Sequence, residues 1–141
     1  MVSVDEAIGQ LFGPGGPLEI TVEDVLGVPT QVYKQRMRSL RDLMAQNAGR
    51  ADTTFLVQGE QRFSYADHDR AARAVAHSLA ELGVHHGDRV AVVSANSPEW
   101  VITFWACAVL GAVVVPLNAW QKTEELQFAI DDCGAKVVIA D

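Results

Sequence analysis

The stretch from Gly87 to Asp141 most constrains the fold, because start and stop signals divide it into strand, helix, strand, helix and strand. Arg89-Val-Ala-Val-Val93 is a continuous apolar run of the kind that is buried on both faces of a parallel sheet. Ser97 is a good N-cap, and Pro98 suits the first helical position, where its missing N–H has no intrahelical partner in any case. The spacing predicts a helix from Pro98 to Leu110, ended by Gly111. Val113-Val-Val115 is short and β-branched, so it reads as a second strand closed by Pro116. Thr123 is expected to cap a further helix, with Glu124 and Glu125 at the positive end of its dipole and Leu126, Ile130 and Cys133 on one face. Gly134 stops it, and Lys136-Val-Val-Ile-Ala140 is the third strand. The class is therefore α/β: a parallel βαβαβ unit with right-handed crossovers and helices covering the sheet.

Upstream, Gly13-Pro-Gly-Gly-Pro17 is a loop signal without sustained periodicity before it, and residues 1–38 read as an irregular N-terminal arm. This glycine run is no phosphate cradle: no Lys-Ser or Lys-Thr follows it and no apolar strand precedes it. Lys34, Arg36, Arg38 and Arg41 form a basic cluster that reads as a solvated face. From Ser39 the patterning becomes regular. Ser39 with Asp42 resembles a capping box opening a short helix through Ala48, with Leu40, Leu43 and Met44 as its apolar side. Thr54-Phe-Leu-Val57, Gln58-Gly-Glu60 and Arg62-Phe-Ser64 read as a β-hairpin turning at Gly59. Ser64 and Asp67 repeat the capping signature ahead of a helix whose stripe is Ala72, Val75, Ala76, Leu79 and Leu82, with Asp69 and Arg73 paired on its surface.

The 141 residues, 49% of them hydrophobic, suffice for one domain with a sizeable core. A net charge of −7 argues against nucleic acid as a partner, since phosphate neutralisation needs clustered Lys and Arg. Cys107 and Cys133 fall on apolar helix faces and read as buried, reduced thiols, which suits the cytoplasm. The first positive side chain is Lys34, so no charged region of a secretory signal is expected. From Trp100 to Gln121 there is no charge and a tryptophan stands near each end, which mimics a membrane span. Gly111, the valine triplet and Pro116 break that run, so no transmembrane segment is expected. His85, His86 and Asp88 lack a third ligand of suitable spacing for a metal, and His68 and His77 read as surface residues of a helix.

Phe63-Ser-Tyr-Ala-Asp67, Leu79-Ala-Glu-Leu-Gly83, Gly87-Asp-Arg-Val-Ala-Val92, Asn96-Ser-Pro-Glu99 and Leu110-Gly-Ala-Val-Val-Val-Pro-Leu-Asn118 occur in order, followed by Asp132-Cys-Gly-Ala-Lys-Val-Val-Ile139. Over Ser39 to Asp141 this resembles the opening of the AMP-forming acyl-CoA synthetases, within the adenylate-forming enzymes. Val28-Pro-Thr-Gln-Val-Tyr-Lys34 is more similar to the fatty-acyl-CoA ligase branch, implying a place in fatty acid metabolism. The resemblance implies the N-terminal part of that family's large domain, incomplete here, with residues 39–141 forming its first α/β part. It also implies the parent reaction: a carboxylic acid and ATP give an acyl-adenylate and pyrophosphate, and coenzyme A then displaces AMP. ATP, Mg and coenzyme A are thereby implied for the full-length enzyme, and no cofactor for this chain.

The family's phosphate loop, rich in Ser, Thr and Gly and ending in Lys, has no counterpart here, and neither does its catalytic Lys. No catalytic, cofactor-binding or metal residue is assigned, and the chain by itself is expected to be inactive. Ligands of open α/β sheets sit at the carboxyl ends of the strands, here Ser94 to Ser97, Pro116 to Asn118 and Asp141. Asn96 and Asn118 are the polar side chains placed near such a rim, with loop capping as their expected role. The helix from Pro98 to Leu110 has almost no polar face. It is expected to be covered by the remainder of the adenylation domain, by the arm, or by self-association. A stand-alone, non-catalytic interaction or assembly module derived from that fold is the alternative.

Overall fold

The computed structural model describes residues 2–141 and divides into two compact units, one up to Arg38 and one from Ser39 onward. The first unit corrects the expectation of an irregular arm. It holds α1 (Val4–Phe12) and an antiparallel hairpin of β1 (Ile20–Val25) and β2 (Val28–Tyr33). Ser3 and Glu6 form a full capping box: the Glu6 N–H donates to Ser3 Oγ at 3.2 Å and the Ser3 N–H to Glu6 Oε2 at 2.8 Å. The hairpin turns at Leu26-Gly27, both with positive φ, of 53° and 83°. Leucine in that position hides a turn that Asn-Gly would have announced.

In the second unit α2 (Leu40–Ala45) runs into a 3₁₀ turn at Gln46–Arg50, followed by β3 (Thr54–Gln58) and β4 (Gln61–Ser64), which pair as the hairpin. Then come α3 (Tyr65–Glu81), β5 (Arg89–Val93), α4 (Pro98–Leu110), β6 (Val113–Leu117), α5 (Thr123–Cys133) and β7 (Val137–Ala140). The last three strands form a parallel sheet of order β6-β5-β7. Val90 pairs with Val114 on one side and Val137 on the other. β5 is the centre, with Val90, Ala91 and Val92 at most 1% exposed, as its continuous apolar run requires.

Ser97 caps α4, accepting the Trp100 N–H at 3.1 Å, and Gly111 ends it at φ 78°. Two details of the sequence reading change. Pro116 lies inside β6 opposite Val92 rather than closing the strand, which an edge strand tolerates because the lost N–H faces no partner. Thr123 is the first residue of α5, not its cap; the preceding Lys122 donates its N–H to Glu125 Oε2 at 2.9 Å.

The alternation of the strands assigns the helices to faces. Val90 and Val92 pack with Ala76 and Leu79 of α3 and with Ala106 and Cys107 of α4. Ile102 of α4 turns the other way, onto Met44 of α2 and Ala72 of α3. Small residues at 72, 76 and 106, each at most 5% exposed, let α3 and α4 approach closely. The cover over α4 thus comes from inside the unit, and none of its large apolar side chains is exposed. Val101, Phe104, Trp105, Val109 and Leu110 are only half-buried, so part of that face stays open. α5 contributes nothing to this core and belongs to the other face: Arg89, next to Val90 and pointing oppositely, donates to the Cys133 and Gly134 carbonyls at 3.0 and 3.1 Å. A cation on the last carbonyls of α5 also suits that helix's dipole.

Candidate functional site

Because the chain leaves β5 into α4 on one face and β6 into α5 on the other, the carboxyl ends of β5 and β6 part. The gap is the topological switch point of the sheet. It forms a cleft of about 320 Å³ lined by Ser94, Asn96, Trp100, Leu117, Asn118 and Trp120 among others. The two asparagines singled out by the sequence therefore meet here. Asn118 does cap its own loop: its Oδ1 accepts the Trp120 N–H at 3.0 Å and its carbonyl accepts the Gln121 N–H at 3.1 Å. On the β7 side, Ser94 Oγ donates to Asp141 Oδ2 at 2.7 Å, so the third predicted strand end ties back to the first.

Sequence reasoning missed the two tryptophans. Trp100 is half-buried and stacks on Phe104 with ring centroids 5.9 Å apart, whereas Trp120 is 88% exposed. Trp100 stands in the first turn of α4 and Trp120 in the turn that follows β6. The lining side chains carry no formal charge, so the cleft offers amide and hydroxyl hydrogen bonds and aromatic faces but no cation for a phosphate and no activated nucleophile.

The remaining candidates resolve as structural. His85 and Asp88 lie at the opposite, amino end of β5. There the Asp88 carboxylate accepts the His85 N–H at 2.8 Å and Lys136 Nζ at 3.1 Å, which together hold it below the ordinary carboxylate range. Among the described residues no group of His, Cys, Asp or Glu has metal-binding geometry. His77 is exposed as expected, but His68 is not: it is 3% exposed, between the rings of Phe55 at 4.6 Å and Trp105 at 6.1 Å. Its place on the inner stripe follows from Ala72, four residues on. Both cysteines are free thiols; Cys107 is buried, and burial pushes its thiol up to about 11, while Cys133 is half-buried.

Against known families, the model of the AMP-binding enzymes matches residues 43–141, which spans both the hairpin and the whole parallel sheet. The chain belongs to the AMP-binding enzyme family. Among curated AMP-binding relatives, the long-chain-fatty-acid–CoA ligase FadD13 of Mycobacterium tuberculosis is 42% identical over 78 residues, 55% of this chain and 16% of the ligase. A feruloyl-CoA synthase of Amycolatopsis is 40% identical over 86 residues, 61% of this chain and 18% of the synthase. The crystal structure of the N-terminal domain of FACL13 from Mycobacterium tuberculosis superposes with a TM-score of 0.70 at 34% identity, covering 74% of this chain and 27% of that domain. The chain therefore spans under a fifth of the length of these two curated AMP-binding relatives. No helix among the described residues is long and apolar enough to cross a membrane.

Proposed function

We propose that these 141 residues are the N-terminal portion of an ATP-dependent acyl-CoA ligase, which joins a carboxylic acid to coenzyme A with release of AMP and pyrophosphate. The portion is inactive by itself. The observation that carries this reading is the pairing of a family match over residues 43–141 with a switch-point cleft lined by no charged side chain. A triphosphate with its metal needs cations or a cradle of backbone N–H groups, and a reacting carboxylate needs an in-line position held rigidly. The residues lining this cleft do not fit ATP, Mg or coenzyme A, so no step of the reaction is assigned to them. The second unit instead supplies a rigid wall whose polar rim, Asn96 and Asn118, borders space completed by other protein. Two unpaired cysteines accord with the reducing cytoplasm as the setting.

The test is a graft. Residues 39–141 replace the corresponding segment of the mycobacterial long-chain-fatty-acid–CoA ligase, and acyl-CoA formation from palmitate, ATP and coenzyme A is followed. A chimera that folds and retains turnover supports the reading. A chimera that folds and binds ATP, yet forms no acyl-adenylate, contradicts it.

A further inference from the structure

An unbroken run of rings crosses the second unit in the order Tyr65, Phe55, His68, Trp105, Phe104 and Trp100. Their centroids lie successively 4.6, 4.6, 6.1, 5.6 and 5.9 Å apart. From Phe55 on β3 the run passes through His68 on α3 to α4, where Phe104 and Trp100 stack because residues four apart share a helix face. It ends at the switch-point cleft, of which Trp100 is one wall. Trp120, the other aromatic wall, stands outside the run and is 88% exposed.

His68 is the member of this run that changes charge most readily. It is 3% exposed, and its Nε2 has no hydrogen-bond partner. The charges on the elements around it supply no counter-ion. On α3 the charge of Asp69 favours the proton, but that carboxylate accepts Arg73 Nε at 2.8 Å, and Asp67 is paired with Arg70 at 2.7 Å. β3 carries no charged residue, and Glu99 of α4, Arg41 and Asp42 of α2 and Arg62 of β4 are all exposed. An imidazolium at this place would be a buried charge without a partner, which is far costlier than the same ring in water. Because protein interiors are close-packed, the ring can turn to water only if Trp105 yields. Trp105 meets Phe104 edge-on at 89°, and Phe104 lies nearly parallel to Trp100 at 9°, so each ring bears directly on the next.

We propose that His68 is a positioning residue for the cleft: its protonation displaces Trp105 and, through Phe104, moves Trp100 at the cleft wall. The neutral imidazole holds that wall in the place described above. Burial keeps the pKa of His68 below its ordinary 6.5, so the wall is set at neutral pH and released as the pH falls under that value. The inference rests on ring contacts within the second unit and is independent of the ligase reading.

Coupling between separated side chains requires a readout at both ends, and fluorine NMR of the whole chain labelled with fluorotryptophan supplies one at each tryptophan. The three resonances are assigned with the Trp100→Phe, Trp105→Phe and Trp120→Phe variants. Between pH 7.5 and pH 5 we expect the Trp105 and Trp100 signals to shift together with one midpoint below 6.5, while Trp120 stays in place and the far-UV helix signal is unchanged. In His68→Gln both shifts should vanish. In Phe104→Leu the Trp105 shift should remain and the Trp100 shift should be lost. A Trp105 signal that titrates beside a stationary Trp100, a Trp100 shift that persists in His68→Gln, or no shift at all overturns the proposal. Movement of all three signals together with loss of helix overturns it as well, since His68 would then act on stability alone.

Discussion

His68 shows how a single side chain sets a condition on the whole second unit. Its imidazole is buried against Phe55 and Trp105, Nε2 has no hydrogen-bond partner, and burial holds its pKa below the ordinary 6.5, opposed only by the charge of neighbouring Asp69. The folded state therefore disfavours the proton, while the unfolded chain accepts it near 6.5. Stability from this group is constant above that pH and is lost as pH falls below it, down to the lowered folded value. The melting temperature should drop more between pH 7.5 and pH 5.5 for the natural chain than for His68→Gln; equal drops would contradict this. The cysteines give a second residue-scale expectation. A thiol reagent at pH 8 should modify half-buried Cys133 well before Cys107, whose thiol is buried and raised to about 11. Equal rates in the native state would show that α4 opens readily. The inward turn of His68 was legible only in part, because Ala72 and Ala76 mark the stripe but histidine itself reads as polar.

At the scale of elements, α4 illustrates why some boundaries were readable to the residue. Ser97, Pro98 and Gly111 each answer a different need of a helix end, and the observed span of Pro98–Leu110 coincides with the expected one. Removing the cap in Ser97→Ala should lower stability by about 1 kcal/mol, measured by urea unfolding. Gly111→Ala should cost more, about 1–3 kcal/mol, because φ is 78° and the added Cβ would stand 2.5 Å from His86 Cδ2. A smaller loss in Gly111→Ala than in Ser97→Ala would mean that the His86 ring gives way and the strain is minor. The elements of the first unit were less legible for identifiable reasons. Ser3 and Glu6 do carry the capping signal, but α1 is only nine residues long and buries nothing, so its stripe is not read against a core. The hairpin turn uses Leu26 where the recognised signal is Asn or Gly.

For the whole molecule, the parallel order β6-β5-β7 follows from two crossovers of opposite direction, and that order creates the cleft rimmed by Asn96 and Asn118. Residue patterning therefore located the strand ends and named those two asparagines. It did not foresee Trp100 and Trp120 as walls, nor that α2 and α3 would cover α4, since both depend on packing across distant segments. The molecule that results has the scaffold of an AMP-binding enzyme and a cleft lined without charge. Its most direct test is ATP–pyrophosphate exchange by the purified 141-residue chain with magnesium and a panel of fatty and aromatic acids. We expect no exchange above the buffer background with any acid, and exchange that scales with the concentration of the pure chain would contradict the assignment.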